Sequence, residues 1–140
     1  MGKLIFLAMT PIDGCVSNLA GIKEWELKRN FYGITEMYDK ADAFISNEMV
    51  PEAVTIVRKT IDGYCIYEPA PGTENLTRQL FENRLVDEIY LYVFSYTLGS
   101  GIPLFPHNIG ISNYWKLEEA KVYNEEMVRL HYSRVDRSEN

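Results

Sequence analysis

Lys3-Leu4-Ile5-Phe6-Leu7-Ala8-Met9 decides how the rest of the chain is read. Its apolar residues follow one another without alternating with polar ones, the pattern of a strand inside a sheet covered on both faces. The run is too short for a transmembrane helix and is interrupted too soon for a secretion signal. It is therefore read as a buried central strand. Thr10-Pro11-Ile12-Asp13-Gly14 closes it with a Pro and Asp-Gly turn signal.

Working outward, Leu27, Phe31, Ile34 and Tyr38 recur at helical spacing, with Gly33 weakening the stretch and able to split it. Ala43 to Ser46 reads as a second short buried strand. Pro51-Glu52 offers a helix start, yet Val54, Thr55, Ile56, Val57, Thr60 and Ile61 are β-branched, so Ala53 to Ile61 stays open between helix and strand. Tyr64 to Tyr67 is a third strand, ended by Pro69-Ala70-Pro71-Gly72. Thr73 is placed as N-cap of a helix through about Asn83, with Leu76, Leu80 and Phe81 facing inward.

In Asp87 to Tyr96, Ile89, Leu91, Val93 and Ser95 alternate with Tyr90, Tyr92, Phe94 and Tyr96, which predicts a strand with one aliphatic and one aromatic face. Core covers one face; a helix, a ligand or a second subunit covers the other. Leu98 to Pro106 reads as a loop. Lys116 to Tyr123, a turn at Asn124-Glu125 and Glu126 to Tyr132 form a terminal antiparallel hairpin. The expected fold is α/β, a mostly parallel central sheet flanked by helices and closed by that hairpin, in one domain over residues 1–132 with a polar tail at 133–140.

Composition agrees. The 140 residues carry 14 Lys+Arg against 20 Asp+Glu, a net charge of −6, with 46% hydrophobic content, enough for one soluble domain with its own core. The acidic balance argues against generic binding to nucleic acid or an anionic membrane. Cys15 and Cys65 stand in no metal-ligand spacing, so no metal site and no disulfide framework is expected, and a reducing cytoplasm fits.

In a parallel sheet, ligands bind beyond the carboxyl ends of the strands, which directs attention to Thr10–Cys15, Ser46–Glu48, Glu68–Thr73 and Gly99–Gly101. Pro71-Gly72-Thr73 either presents backbone N–H groups to a phosphate or is an ordinary capped turn. Asp13 either orients a ligand amine or serves the turn. Glu68 is either a carboxyl raised in pKa by burial, suited to a heterocycle or to proton transfer, or a solvated strand end. No nucleophilic constellation emerges: Cys15 has no basic neighbour in sequence, His107 and His131 are distant, and His131 reads as a surface residue.

Leu80-Phe81-Glu82-Asn83-Arg84-Leu85-Val86-Asp87-Glu88-Ile89-Tyr90-Leu91, followed by Leu98-Gly99-Ser100-Gly101-Ile102-Pro103-Leu104-Phe105, resembles the C-terminal half of the dihydrofolate reductase-like superfamily. Within it, the resemblance is to the reductase domain of the bifunctional riboflavin-biosynthesis deaminase/reductase. Pro11-Ile12-Asp13-Gly14 is similar to that family's Ser-Leu-Asp-Gly turn after the first strand. The resemblance implies an NADPH-dependent reductase passing a hydride to a pyrimidine or pteridine at the carboxyl edge. By position it implies catalytic roles for Asp13 and Glu68, and substrate contacts from Cys15, Gly99, Ser100 and Gly101. It places Ser46, Asn47, Gly72, Thr73 and Glu74 against the cofactor.

This chain departs from the pattern at the cofactor end. The family's Glu-Gly-Gly turn reads Glu68-Pro69-Ala70-Pro71-Gly72, its Gly-Arg/Lys-Thr segment reads Ser46-Asn47-Glu48-Met49, and Cys15 stands where these reductases often have Lys. Between Ile45 and Ile66 there is room for one helix or one hairpin, whereas a further βαβ unit needs about 30 residues. A second expectation follows: a relative of the fold that lost dinucleotide binding and serves as a small-ligand-binding or homo-oligomeric protein. A third is a structural or regulatory dimer without ligand. A homodimer burying the aromatic face and the hairpin edge is expected.

Overall fold

In chain order the elements are β1 (Lys3–Pro11), β2 (Cys15–Val16), α1 (Ile34–Lys40), β3 (Ala43–Phe44), α2 (Pro51–Thr60), β4 (Tyr64–Tyr67), α3 (Glu74–Glu82), β5 (Glu88–Phe94), β6 (Ile102–Pro103), β7 (Tyr114–Tyr123) and β8 (Met127–Val135). The structure is a computed structural model describing residues 2–16, 32–95, 97, 99, 101–105 and 114–135. Six strands form one sheet in the order β3-β4-β1-β5-β8-β7, and β2 pairs with β6 apart from it. β3, β4, β1 and β5 are parallel, while β8 and β7 close the sheet antiparallel.

β1 sits inside the sheet because both of its faces are apolar. Leu4, Phe6 and Ala8 enter a core under α2 and α3; Ile5, Leu7 and Met9 enter a second core with Tyr32 and Ile34, packed by Met37 and Tyr38 of α1. The alternation in β5 is distributed the same way. Ile89 and Leu91 join the first core, and Tyr90, Tyr92 and Phe94 the second. The aromatic face is thus covered from within the chain, and Tyr92 and Phe94 are fully buried there.

Several boundaries differ from the sequence reading. Within the stretch expected to be helical, α1 starts at Ile34 directly after Gly33, which has φ 76°, a left-handed conformation that glycine adopts without strain and one that separates α1 from what precedes it; Leu27 and Phe31 lie outside the described residues. The open segment from Ala53 resolves as helix. Pro51 occupies its first turn, Val54 is buried, and the Thr55 and Thr60 hydroxyls donate to the carbonyls of Pro51 and Ile56 at 2.9 and 2.7 Å. Those bonds absorb the hydroxyls of a β-branched run without breaking the helix.

β3 ends at Phe44, so Ser46 lies in the loop beyond it. β8 continues to Val135, three residues past the expected domain end, because Arg134 reaches back to the β5 side: its guanidinium donates to the Arg84 and Val86 carbonyls, and its backbone N–H to Asp87. His131 is a correction as well. Its ring stacks on Tyr90 at 4.1 Å and its Nε2 lies 2.6 Å from Glu88 Oε1, so it is half-buried on the sheet face.

Among the described residues, no helix is long and apolar enough to cross a membrane, and no group of three His, Cys, Asp or Glu side chains is placed to hold a metal ion.

Candidate functional site

The parallel strands bring the carboxyl ends of β3, β4, β1 and β5 to one edge. At that edge the chain leaves β1 through Ile12-Asp13-Gly14, a turn closed by Gly14 N–H on the Pro11 carbonyl at 3.0 Å with Gly14 at φ 71°. Cys15 and Val16 then pair as β2 with Pro103 and Ile102 of β6, and Leu104 N–H donates to the Gly14 carbonyl at 2.8 Å. Asp13 Oδ2 accepts from Gly99 N–H at 2.9 Å. Segments 86 positions apart in the chain are thereby joined at one place.

Asp13 is thus part of the turn, and its exposed carboxylate is held at a set position by Gly99. Cys15, half-buried, lies beside it on β2, and the Thr10 hydroxyl, buried below, is within 3.0 Å of the Cys15 carbonyl and 3.1 Å of the Pro11 carbonyl. Gly99 and Gly101 at φ 83° and 136° shape the opposing loop. That loop is anchored by Leu104, buried, and by the Phe105 ring, stacked on Phe6 at 5.6 Å and edge-on to Phe81. Ser100 lies outside the described residues. The β2/β6 pair and the Leu104-Phe105 anchor were missed in the sequence. Two-residue strands carry no periodicity, and the one signal was an apolar dipeptide following a Gly-rich turn.

Glu68 follows β4 as expected, but its side chain is exposed, so the burial required for an activated acid is absent. It accepts instead from the Tyr38 hydroxyl of α1, whose ring stacks on Phe44 at 5.4 Å. Tyr38 thus belongs to this edge, a role that no spacing in the sequence announces.

The turn from Pro69 to Thr73 is closed on itself. Ala70 N–H donates to Thr73 Oγ1 at 3.0 Å, the Thr73 hydroxyl lies 2.8 Å from the Ala70 carbonyl, and Thr73 N–H donates to that carbonyl at 3.1 Å. Thr73 precedes α3 but makes no side-chain cap, because its hydroxyl is used in the turn. The two prolines have no N–H. Glu74, in the first turn of α3, puts a carboxylate where the helix end would favour an anion. Across the loop after β3, Ser46 and Asn47 are exposed, and no Lys or Arg occurs between Ser46 and Val50. The turn itself is a poor fit to a dinucleotide diphosphate: Pro69 and Pro71 supply no N–H, those of Ala70 and Thr73 are used within the turn, and the Glu74 carboxylate beside it has the wrong sign.

The sheet order, with parallel strands flanked by helices on both faces and an antiparallel closing pair, is the dihydrofolate reductase-like fold. No protein-family model matches the sequence, and no curated protein matches it significantly. Among solved structures, a protein ascribed to riboflavin biosynthesis from Shewanella sp. PV-4 superposes with a TM-score of 0.72 at 16% identity, over 96% of this chain and 99% of that one. The Thermotoga maritima diaminohydroxyphosphoribosylaminopyrimidine deaminase/5-amino-6-(5-phosphoribosylamino)uracil reductase gives 0.63 at 9% identity over 95% of this chain. This chain spans 56% of that longer protein. Enterococcus faecalis dihydrofolate reductase, complexed with NADP(H), gives 0.57 at 15% identity over 96% of this chain and 97% of that one.

Proposed function

We propose that this chain binds a small planar nitrogen heterocycle, of the pyrimidine or pteridine kind, at the carboxyl edge beside Asp13, on a reductase fold that no longer holds a dinucleotide. The Asp13 carboxylate, fixed by Gly99 N–H, accepts from a ring N–H or amine, and the Gly99–Gly101 loop forms the wall across from it. The single observation that carries the loss of the dinucleotide is the self-closed, proline-containing turn from Pro69 to Thr73.

The second reading is an NADPH-dependent reductase of such a heterocycle, with Asp13 and Glu68 at the reacting ring. It is favoured by the likeness over 96% of the chain to a reductase complexed with NADP(H). Thermal melting separates the two. A ligand bound at a hundredfold excess over its Kd stabilises by about 2.7 kcal/mol, so NADPH binding shows as a clear rise in Tm. The expected result is no shift with NADPH or NADH and no quenching of nicotinamide fluorescence. A shift, with NADPH oxidation that Asp13→Asn and Glu68→Gln each abolish, establishes the reductase instead. For the heterocycle site itself, pyrimidines and pteridines are titrated against the wild type and Asp13→Asn; equal binding to both refutes the role of Asp13.

A homodimer is proposed on the outer edge of β7 in place of the aromatic stripe. Tyr92 and Phe94 are buried inside the chain, whereas Leu117 and Val122 on β7 are 52% and 69% exposed. Light scattering at micromolar concentration tests this, and a monomeric mass refutes it.

A further inference from the structure

Among the described residues, the two faces of the sheet are roofed unequally. α2 and α3 cover one face, while the other carries the seven-residue α1 as its described helix. Beside α1 lie two adjoining open concavities of about 460 and 470 Å³, which share Met37, Tyr64 and Tyr90 in their walls. These volumes suit a small organic molecule. One concavity begins at Lys3, Tyr64 and Glu88, the first residues of β1, β4 and β5. It is therefore at the amino ends of the parallel strands, away from Asp13. The other runs along α1 toward the terminal hairpin.

At the hairpin end the wall changes from aromatic to cationic. Arg129 of β8 and Lys121 of β7 are cross-strand neighbours, so both side chains stand on this face. The Arg129 guanidinium lies 5.9 Å from the centroid of Tyr90, and the Lys121 ammonium 5.1 Å from that of Tyr123. Glu119 engages Arg129 through Nη2, leaving Arg129 Nε as a buried side-chain nitrogen without a hydrogen-bond partner among the described residues. Lys121 makes no ion pair among them. A buried donor that lacks an acceptor is destabilising, and an anion bound against the exposed part of the guanidinium offsets the unbalanced positive charge.

We propose that this groove is a second binding site, for a planar aromatic carboxylate, with the ring against Tyr64 and Tyr90 and the carboxylate at the Arg129 guanidinium and Lys121. It uses none of the carboxyl-edge residues, so it stands or falls independently of the function proposed above. The probe is 2-naphthoate, titrated into the full chain by calorimetry, with neutral 2-naphthalenemethanol for comparison. Naphthoate is expected to bind, with nuclear Overhauser contacts to the Tyr64 and Tyr90 rings, and to bind more tightly than the alcohol.

Two substitutions at exposed positions shift the affinity in opposite directions. Lys121→Gln weakens naphthoate by about two- to fivefold, the range of a solvent-exposed charge pair. Glu119→Gln removes the competing carboxylate from Arg129 and tightens it by about the same factor. Loss of folding cannot produce the second result. The site is refuted by absence of binding at millimolar probe, by contacts to other rings, by equal affinity for the alcohol, or by indifference to both substitutions.

Discussion

Asp87 is read in the sequence as no more than the first residue of a strand, yet it fastens the amino edge of the sheet. One carboxylate oxygen accepts from Leu4 N–H at 2.8 Å and from Arg58 Nε at 2.7 Å, and the other from Arg58 Nη2 at 2.6 Å. Arg134 of β8 stands 3.5 Å away. The two Arg side chains and the carboxylate are each only 13–15% exposed, so removing the carboxylate leaves two cations poorly hydrated. Asp87→Ala is expected to cost about 3–5 kcal/mol, measured by urea unfolding. A cost below about 1 kcal/mol, the level of a surface pair, refutes this role. The aspartate is plain in the sequence; the convergence of α2, β1 and β8 on it is not, because its partners lie 29, 83 and 47 positions away.

Among the elements, those with a long regular period were legible. β1, β4, β5 and α3 fall where continuous, alternating or 3.6-residue apolar patterns put them, and Leu76, Leu80 and Phe81 of α3 point inward as expected. α2 was undecidable from the sequence because β-branched composition and a Pro-Glu start oppose each other. Packing decided it: Val54 and Val57, with Ile61 just past the helix end, lie against the core, while Ile56 is left 64% exposed. The start of α1 is set by Gly33. A Cβ there meets no atom within 4 Å, so the φ of 76° is its whole constraint. Gly33→Ala is expected to lower stability by about 1–2 kcal/mol through left-handed strain alone. Gly33→Asn is expected to cost less, since Asn tolerates this region better. Equal unfolding midpoints for wild type and Gly33→Ala would refute the assignment.

For the molecule as a whole, the double-sided burial of the sheet predicts how stability responds to alkali. Burial pushes the Cys65 thiol up to about 11 from 9.0 and the Tyr92 phenol up to about 12 from 10.0, and it also raises Tyr67 and Tyr90. A pKa higher in the folded than in the unfolded chain means that folding favours the protonated form. The stabilisation is complete below the unfolded values and is lost as pH rises through the folded ones. Tm is therefore expected to stay level from about pH 7 to about pH 8.5 and to fall progressively between about pH 9 and about pH 12. A Tm independent of pH across that upper window contradicts the burial of these groups.

The amino-acid sequence determined the local terms of this protein. Continuous apolarity in β1 required cover on both faces, strict alternation in β5 required two unlike faces, and prolines at 69 and 71 removed two N–H donors whatever surrounds them. The tertiary structure decided what depends on residues distant in the chain. It joined Asp13 to Gly99, left Glu68 exposed as the acceptor of the Tyr38 hydroxyl, drew His131 onto Tyr90 and left Arg129 Nε without a partner among the described residues. The division has a physical cause. Backbone conformation and hydrogen-bonding capacity belong to each residue and its near neighbours, whereas burial and partnership are set by which segments the closed sheet brings together.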